Sequence, residues 1–211
     1  MSEPLRRDAT APPRNVAVLL FDEVEVLDFA GPFEVFSVAG RRDGLDPFRV
    51  YTVAETARPV LARNELSVNP RYTIQNCPPP AIVVVPGGFG ARREMHNPVI
   101  LEWIQRVAAT NEITFSVCTG ALLLGRAGLL DGQKATTHFG ALRELEQAAP
   151  LATVAGNVKV VDNGRIVTSA GISAGIEAAL HLVGRLIGSR YAIETARYME
   201  YDWPSGGLDN P

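Results

Sequence analysis

The most informative local pattern in the chain is Ile113-Thr114-Phe115-Ser116-Val117-Cys118-Thr119-Gly120-Ala121, because its apolar run stops at a cysteine with small residues two positions to either side. A sharp turn from a strand into a helix crowds those two positions, here Ser116 and Gly120. The pattern predicts a nucleophile elbow that holds Cys118 above the edge of a sheet. The helix that opens at Thr119 would direct free amides and its positive dipole end at the sulfur. We therefore expect the thiolate to be favoured over the thiol.

The composition is that of one globular domain. The 211 residues are 46% hydrophobic, enough to bury most of the chain around a single core, and no repeat or linker interrupts them. The net charge of −3 comes without a basic cluster larger than Arg41-Arg42 or Arg92-Arg93, so we expect no nucleic-acid partner. We predict a disordered segment over 1–14, one α/β domain over 15–203 and a flexible tail over 204–211.

The cysteine content indicates a reducing compartment. Cys77 and Cys118 are too few for a disulfide framework, and a reactive thiol favours surroundings that keep it reduced. Residues 1–8 lack the apolar core of a signal peptide, and no uncharged apolar run approaches the ~18 residues that span a bilayer. We expect a cytoplasmic protein with no membrane partner.

Strand and helix signals alternate along the chain, which predicts a mostly parallel sheet covered by helices on both faces. Continuous apolar runs at 16–21 and 81–85 predict buried strands, the first of them central, and 48–53 predicts a further strand. Gly31-Pro32 predicts a helix that starts there with proline in its first turn, and Asn97-Pro98 predicts a capped start for another helix.

Three further patterns complete the outline. Gly40 predicts the end of the helix that contains Gly31-Pro32, and the ambiguous segment 60–76 favours a small hairpin or excursion. Asn163-Gly164, between two strand-like segments, is a strong hairpin signal. From Ser173 onward, apolar residues with helical spacing predict a core helix.

Ligands bind beyond the carboxyl ends of strands in such a sheet, which draws attention to the residues that follow each strand. Asp28 could cap a helix, or it could act as acid or base if burial raises its pKa. Gly87-Gly88 could be a simple turn or could supply amides to an oxyanion site. His138 could pair with Cys118, cap the next helix or satisfy a core hydrogen bond. No grouping has zinc-site spacing, so we expect no metal.

Six motifs, in order, resemble the ThiJ/PfpI superfamily of class I glutamine-amidotransferase-like proteins. They are Leu27-Asp28-Phe29-Ala30-Gly31-Pro32, Pro86-Gly87-Gly88, Ser116-Val117-Cys118-Thr119-Gly120-Ala121, Ala127-Gly128-Leu129-Leu130-Asp131-Gly132, Ala135-Thr136-Thr137-His138 and Ser169-Ala170-Gly171-Ile172-Ser173-Ala174-Gly175-Ile176-Glu177. The resemblance covers nearly everything from Asn15 to Trp203. It implies a flavodoxin-like three-layer sandwich and a homodimer.

Two positions depart from the protease-like members of that superfamily. Those members carry a histidine directly after the cysteine and a glutamate on the first loop, whereas here Thr119 follows Cys118 and Asp28 is the acidic residue. Without the adjacent histidine we expect no peptidase activity. The pattern is similar to the isonitrile hydratase branch and to the sensing halves of AraC-type regulators. Those regulators add a C-terminal helix-turn-helix domain, and because this chain ends at Pro211 we expect no intact regulator.

The resemblance to the hydratase branch implies addition of water to an organic isonitrile, a small-molecule substrate, to give an N-substituted formamide without a cofactor. Cys118 would form a covalent thioimidate, Asp28 would serve as acid and base, and Thr119 would orient substrate or water. The expected oxyanion and substrate contacts are Gly87, Gly88, Thr119, His138 and Phe89.

Two alternatives stay open. The first is a cofactor-free glyoxalase or deglycase that acts on methylglyoxal through a thiohemiacetal, for which the resemblance implies a Glu, Cys and His set. Asp28 is one methylene shorter than that glutamate, and a displacement of about 1 Å can cost on the order of a hundredfold in rate. The second is a redox or metabolite sensor in which Cys118 oxidises to the sulfinate without turnover.

Overall fold

The computed structural model describes residues 12–203. The disorder predicted for 1–14 and for 204–211 therefore concerns residues that lie mostly outside the described part of the chain. Residues 12–14 of the first segment are described, and Arg14 does not fit the predicted disorder. Its backbone begins the first strand, and its Nε donates a hydrogen bond of 2.6 Å to the Glu112 carboxylate.

The strands form one large sheet and two small pairs. They are β1 (Arg14–Leu20), β2 (Phe48–Ala54), β3 (Val60–Leu61), β4 (Ser67–Val68), β5 (Tyr72–Thr73), β6 (Ile82–Val85), β7 (Ile113–Val117), β8 (Lys134–Ala135), β9 (Thr153–Val154), β10 (Val160–Asp162) and β11 (Ile166–Ser169). The large sheet has seven strands in the order β10-β11-β7-β6-β1-β2-β5. All neighbours in it are parallel except β10 and β11.

Helices cover both faces of this sheet. They are α1 (Val26–Val38), α2 (Ala91–Glu94), α3 (Pro98–Ala108), α4 (Gly120–Arg126), α5 (Leu142–Ala148), α6 (Ala174–Ile187) and α7 (Ser189–Tyr198). One layer packs α1, α6 and α7 together, and the other packs α2, α3 and α5 around α4. The predicted flavodoxin-like three-layer sandwich is confirmed.

The central strands show why continuous apolar runs predict them well. Every residue of β6 and of β7 is buried, because parallel strands in the middle of a sandwich are covered on both faces. β1 lies between β6 and β2, so its predicted central position is confirmed. The order β1-β6-β7 brings the residues after three strands to one edge.

The start predicted for α1 is wrong. The helix begins at Val26, so Pro32 lies in its interior rather than in its first turn. Gly31 has a different role, because a Cβ there would lie 2.9 Å from Cγ1 of Ile176 on α6. The glycine therefore permits close packing of two helices. The predicted end is right: Gly40 follows the helix with φ 76°, a left-handed conformation that favours glycine.

Other local predictions are confirmed with one addition. The Asn97 side chain caps α3 by accepting a 3.1 Å hydrogen bond from the Val99 amide, and Asn163-Gly164 joins the antiparallel strands β10 and β11. Within 60–76, β3 and β4 form the expected hairpin, but β5 joins the large sheet as its edge strand beside β2. The core helix expected from Ser173 is α6.

Candidate active site

Cys118 sits in a nucleophile elbow between β7 and α4. Its φ of 56° lies in the left-handed region, which residues other than glycine adopt only under constraint. A Cβ on Gly120 would lie 2.0 Å from the Val85 carbonyl oxygen, so only glycine fits two residues after the cysteine. The predicted elbow is confirmed.

Hydrogen bonds to the backbone hold this strained residue in place. The Cys118 amide donates to the carbonyl oxygens of Ser169 and Ala170, each at 3.2 Å. The Thr137 hydroxyl donates to the Cys118 carbonyl oxygen at 2.7 Å. The segments that follow β8 and β11 therefore fix the elbow from one side.

Asp28 projects into the same site from the third position of α1. Its side chain is 0% exposed, and Oδ2 accepts a 3.0 Å hydrogen bond from the Gly87 amide. The helix has Glu25 at its N-cap and no side-chain cap, so the alternative in which Asp28 caps the helix is wrong. Oδ1 is buried and has no hydrogen-bond partner of normal geometry.

The Asp28 carboxyl and the Cys118 thiol perturb each other. Burial raises the pKa of Asp28 to about 7, although the Gly87 amide and a weaker contact with the thiol oppose the rise. Burial, reinforced by the nearby Asp28 charge, raises the pKa of Cys118 to about 12. The two groups together therefore carry at most one negative charge near neutral pH, and Asp28 carries it.

The expected preference for thiolate at Cys118 is wrong for the resting site. The Thr119 amide does lower the thiol pKa, as the elbow predicted, but desolvation is the larger effect. The sequence could not show this, because Cys118 is 7% exposed only once the surrounding loops have packed over it. Ionisation begins at Asp28, and the thiol becomes nucleophilic only by passing its proton on.

Thr119 and the two glycines form a closed arrangement. The Gly88 amide donates to Thr119 Oγ1 at 3.0 Å, and that hydroxyl donates to the Gly88 carbonyl oxygen at 3.2 Å. A Cβ on Gly87 would lie 2.5 Å from the Thr119 nitrogen, which explains why glycine is needed there. The amides expected to be free for an oxyanion therefore bind Asp28 and Thr119 instead. Contact of these glycines with substrate stays a prediction.

His138 and Phe89 make contacts with residues other than Cys118 and Asp28. His138 Nδ1 accepts a 3.1 Å hydrogen bond from the Gly140 amide, so the capping alternative is confirmed for the turn at 139–141. Phe89 is 58% exposed and carries the Arg63 guanidinium 4.0 Å above its ring. A role for either residue in substrate binding stays a prediction.

Sequence reasoning missed Ile172 and the cleft beside it. Ile172 has φ 56°, which is rare for a β-branched residue, and its amide points to the Asp28 carboxyl. A cleft of about 600 Å³ adjoins it, lined by Thr136, Thr137, His138, Phe139, Leu142, Gly156, Asn157, Val158, Lys159, Ala170, Gly171, Ile172, Ser173 and Ala174. The only signal in the sequence was the motif at 169–177, where strain is invisible.

Within residues 12–203, no group of three or more His, Cys, Asp or Glu side chains is arranged to hold a metal ion. None of the helices in that part of the chain is both long enough and apolar enough to cross a membrane.

Comparison with known proteins places this geometry in context. The sequence matches the DJ-1/PfpI family over residues 14–185. An isonitrile hydratase from Pseudomonas putida is 35% identical over 186 residues, which are 88% of this chain and 76% of that protein. A crystal structure of a ThiJ/PfpI family protein from Pseudomonas syringae superposes with a TM-score of 0.82 at 27% identity, covering 100% of this chain and 84% of that one.

A second group of relatives is longer. The HTH-type transcriptional regulator GbdR of Pseudomonas aeruginosa is 28% identical over 190 residues, which are 90% of this chain and 51% of the regulator. The chain thus spans about half the length of that relative. Similarity extends to both an enzyme and a regulator.

Proposed function

This chain belongs to the DJ-1/PfpI family, and from that premise we propose that it adds water to an organic isonitrile and releases the N-substituted formamide. One observation carries the proposal: a buried carboxyl and a buried thiol, Asp28 and Cys118, lie in one site and carry at most one negative charge between them. The similarity to the Pseudomonas putida hydratase supports the same reaction.

In the first step the thiol adds to the terminal carbon of the isonitrile. As the sulfur–carbon bond forms, the Asp28 carboxylate takes the Cys118 proton and delivers it to that carbon, which gives a thioimidate, Cys–S–CH=N–R. Asp28 is again a carboxylate at the end of this step. The raised pKa of Asp28, about 7, suits a group that must both accept and release the proton near neutral pH.

In the second step water cleaves the thioimidate. Asp28 removes a proton from water as the oxygen attacks the carbon, and that proton passes to the nitrogen. Asp28 then takes the hydroxyl proton while the carbon–sulfur bond breaks, and it returns this proton to the departing sulfur of Cys118. The products are the formamide and the original pair, so no redox partner is needed.

Thr119 supports these steps because its backbone amide is held next to the sulfur of Cys118. Its hydroxyl is held by Gly88, and its amide faces the sulfur, where it stabilises negative charge during attack and departure. As further parts of this proposal, we expect the chain to act as a homodimer in the cytoplasm, on a small-molecule substrate, without nucleic acid.

The similarity to transcriptional regulators favours a second candidate function. The same site would bind a small metabolite, or oxidise at Cys118 to the sulfinate, without turnover. Mass spectrometry after mild peroxide separates the two candidates: selective oxidation at Cys118 in a protein with no turnover favours the sensor. Lactate formation from methylglyoxal tests the glyoxalase alternative, for which the engagement of His138 with Gly140 is unfavourable.

Turnover of cyclohexyl isocyanide, followed by chromatography of the formamide, tests the hydratase. We expect activity in the unaltered protein and in Cys77→Ala, and its loss in Cys118→Ala. Because the carboxylate form of Asp28 starts the reaction, kcat/KM should rise as pH increases through about 7 and then level off. No turnover by the unaltered protein, or full turnover by Cys118→Ala, would refute the proposal.

A further inference from the structure

The cleft beside the elbow is joined to the catalytic pair through shared residues. Thr137 and Ala170 line it and also hydrogen-bond the backbone of Cys118. Ile172 lines it and directs its amide to Asp28. The volume of about 600 Å³ falls in the range of small-molecule pockets, which is about 300–1,000 Å³.

Because the thiol is buried, the isonitrile head and the substituent on its nitrogen must occupy different parts of the site. Cys118 is 7% exposed, so only a slender group can approach its sulfur. The isonitrile head, a linear pair of atoms, is slender enough. Any larger substituent on its nitrogen must stay outside the elbow, and the cleft is the adjoining space.

The lining of the cleft combines apolar side chains with uncharged polar ones, one histidine and one lysine. Phe139 is 83% exposed, and its ring lies against His138 at a centroid distance of 4.4 Å and a tilt of 34°, so the outer part of the ring is open to a ligand. Lys159 is the one Lys, Arg, Asp or Glu among the lining residues, and its Nζ is paired with the Glu177 carboxylate at 2.5 Å. The cleft therefore offers aromatic surface and no unpaired charge.

We propose that the nitrogen substituent of the substrate is a bulky, uncharged aromatic or alicyclic group that binds in this cleft against Phe139, Leu142 and Val158. This inference rests on the proposed isonitrile hydration and names the class of isonitrile. Apolar contact with the open ring supplies the affinity. A carboxylate on the substituent would lose part of its hydration against the apolar side chains, and the one lysine in the lining is already paired with Glu177.

Kinetics with three isonitriles test the inference. Phenyl isocyanide should have a higher kcat/KM than methyl isocyanide and than 4-isocyanobenzoate. Phe139→Ala should lower the ratio of kcat/KM for phenyl over methyl by about 3- to 10-fold, the usual contribution of an aromatic pair. Leu151→Ala is the matched control, because this leucine is 68% exposed and lies outside the cleft, and it should leave the ratio unchanged.

A binding measurement separates failure of the inference from failure of the function. Calorimetry with formanilide, the product from phenyl isocyanide, uses Cys118→Ala and the double variant Cys118→Ala/Phe139→Ala, so it needs no turnover. Weaker binding by the double variant supports the cleft. Turnover with an unchanged phenyl-to-methyl ratio in Phe139→Ala overturns the inference alone. Absence of turnover with all three substrates overturns the function, and equal formanilide binding by both variants then overturns the inference too.

Discussion

Thr119 shows how one side chain organises the candidate site. The hydroxyl accepts from the Gly88 amide and donates to the Gly88 carbonyl oxygen, so it ties the turn after β6 to the start of α4. The same turn supplies the Gly87 amide that holds Asp28. One hydroxyl therefore positions the carboxyl indirectly as well as the elbow.

Replacing Thr119 tests this role. Thr119→Val keeps the shape but leaves the Gly88 amide without its acceptor, which should cost about 1–3 kcal/mol in the free energy of unfolding. Thr119→Ser keeps the hydroxyl and should cost much less. Urea denaturation measures the stability, and kcat measured on the same proteins should fall far more in Thr119→Val. Equal losses in the two variants would show that the hydroxyl is not what matters.

Among the helices and strands, sequence patterns correctly predicted the features that depend on neighbouring residues in the chain. Buried parallel strands read as apolar runs, and the Asn97 cap of α3 followed from its side chain. The start of α1 was predicted wrongly, because Gly31 is required by packing against α6, a helix from a distant part of the chain, and does not mark a helix start. The raised pKa of Cys118 was not predicted either, because the burial of its thiol depends on loops that lie far apart in the sequence.

The elbow makes a prediction that compares two helical glycines. Gly120→Ala would place its Cβ 2.0 Å from the Val85 carbonyl oxygen, a backbone atom that cannot move without disturbing the sheet. Gly184→Ala, in α6, would place its Cβ 3.5 Å from the Ala192 Cβ, an ordinary contact. We expect severe destabilisation in the first variant and a gain of up to about 1 kcal/mol in the second, from helix propensity. Thermal denaturation of both provides the test, and similar melting temperatures would contradict it.

For the whole molecule, the Asp28 site stabilises the fold only while it is protonated. The unfolded chain releases this proton near the ordinary value of 3.8, whereas the folded chain holds it to about pH 7. The folded state therefore binds more protons between these values, and the free energy of unfolding falls as pH rises through them. The change can reach roughly 4 kcal/mol, and it is complete above pH 7. The Asp28 carboxyl thus lowers stability at the pH where it is ionised.

Asp28→Asn should remove this pH-dependent fall in the free energy of unfolding. The amide oxygen still accepts from Gly87, and the side chain carries no charge at any pH, so the variant should match the unaltered protein near pH 4 and exceed it by up to roughly 4 kcal/mol near pH 8. Urea denaturation at these two pH values measures the difference, with Asp46→Asn, an exposed carboxylate, as the control that should change little. A stability difference that does not vary with pH would mean that the folded protein does not hold the Asp28 proton. The same variant should be inactive as a hydratase, because the carboxyl whose removal stabilises the fold is also the group that moves the proton in the proposed reaction.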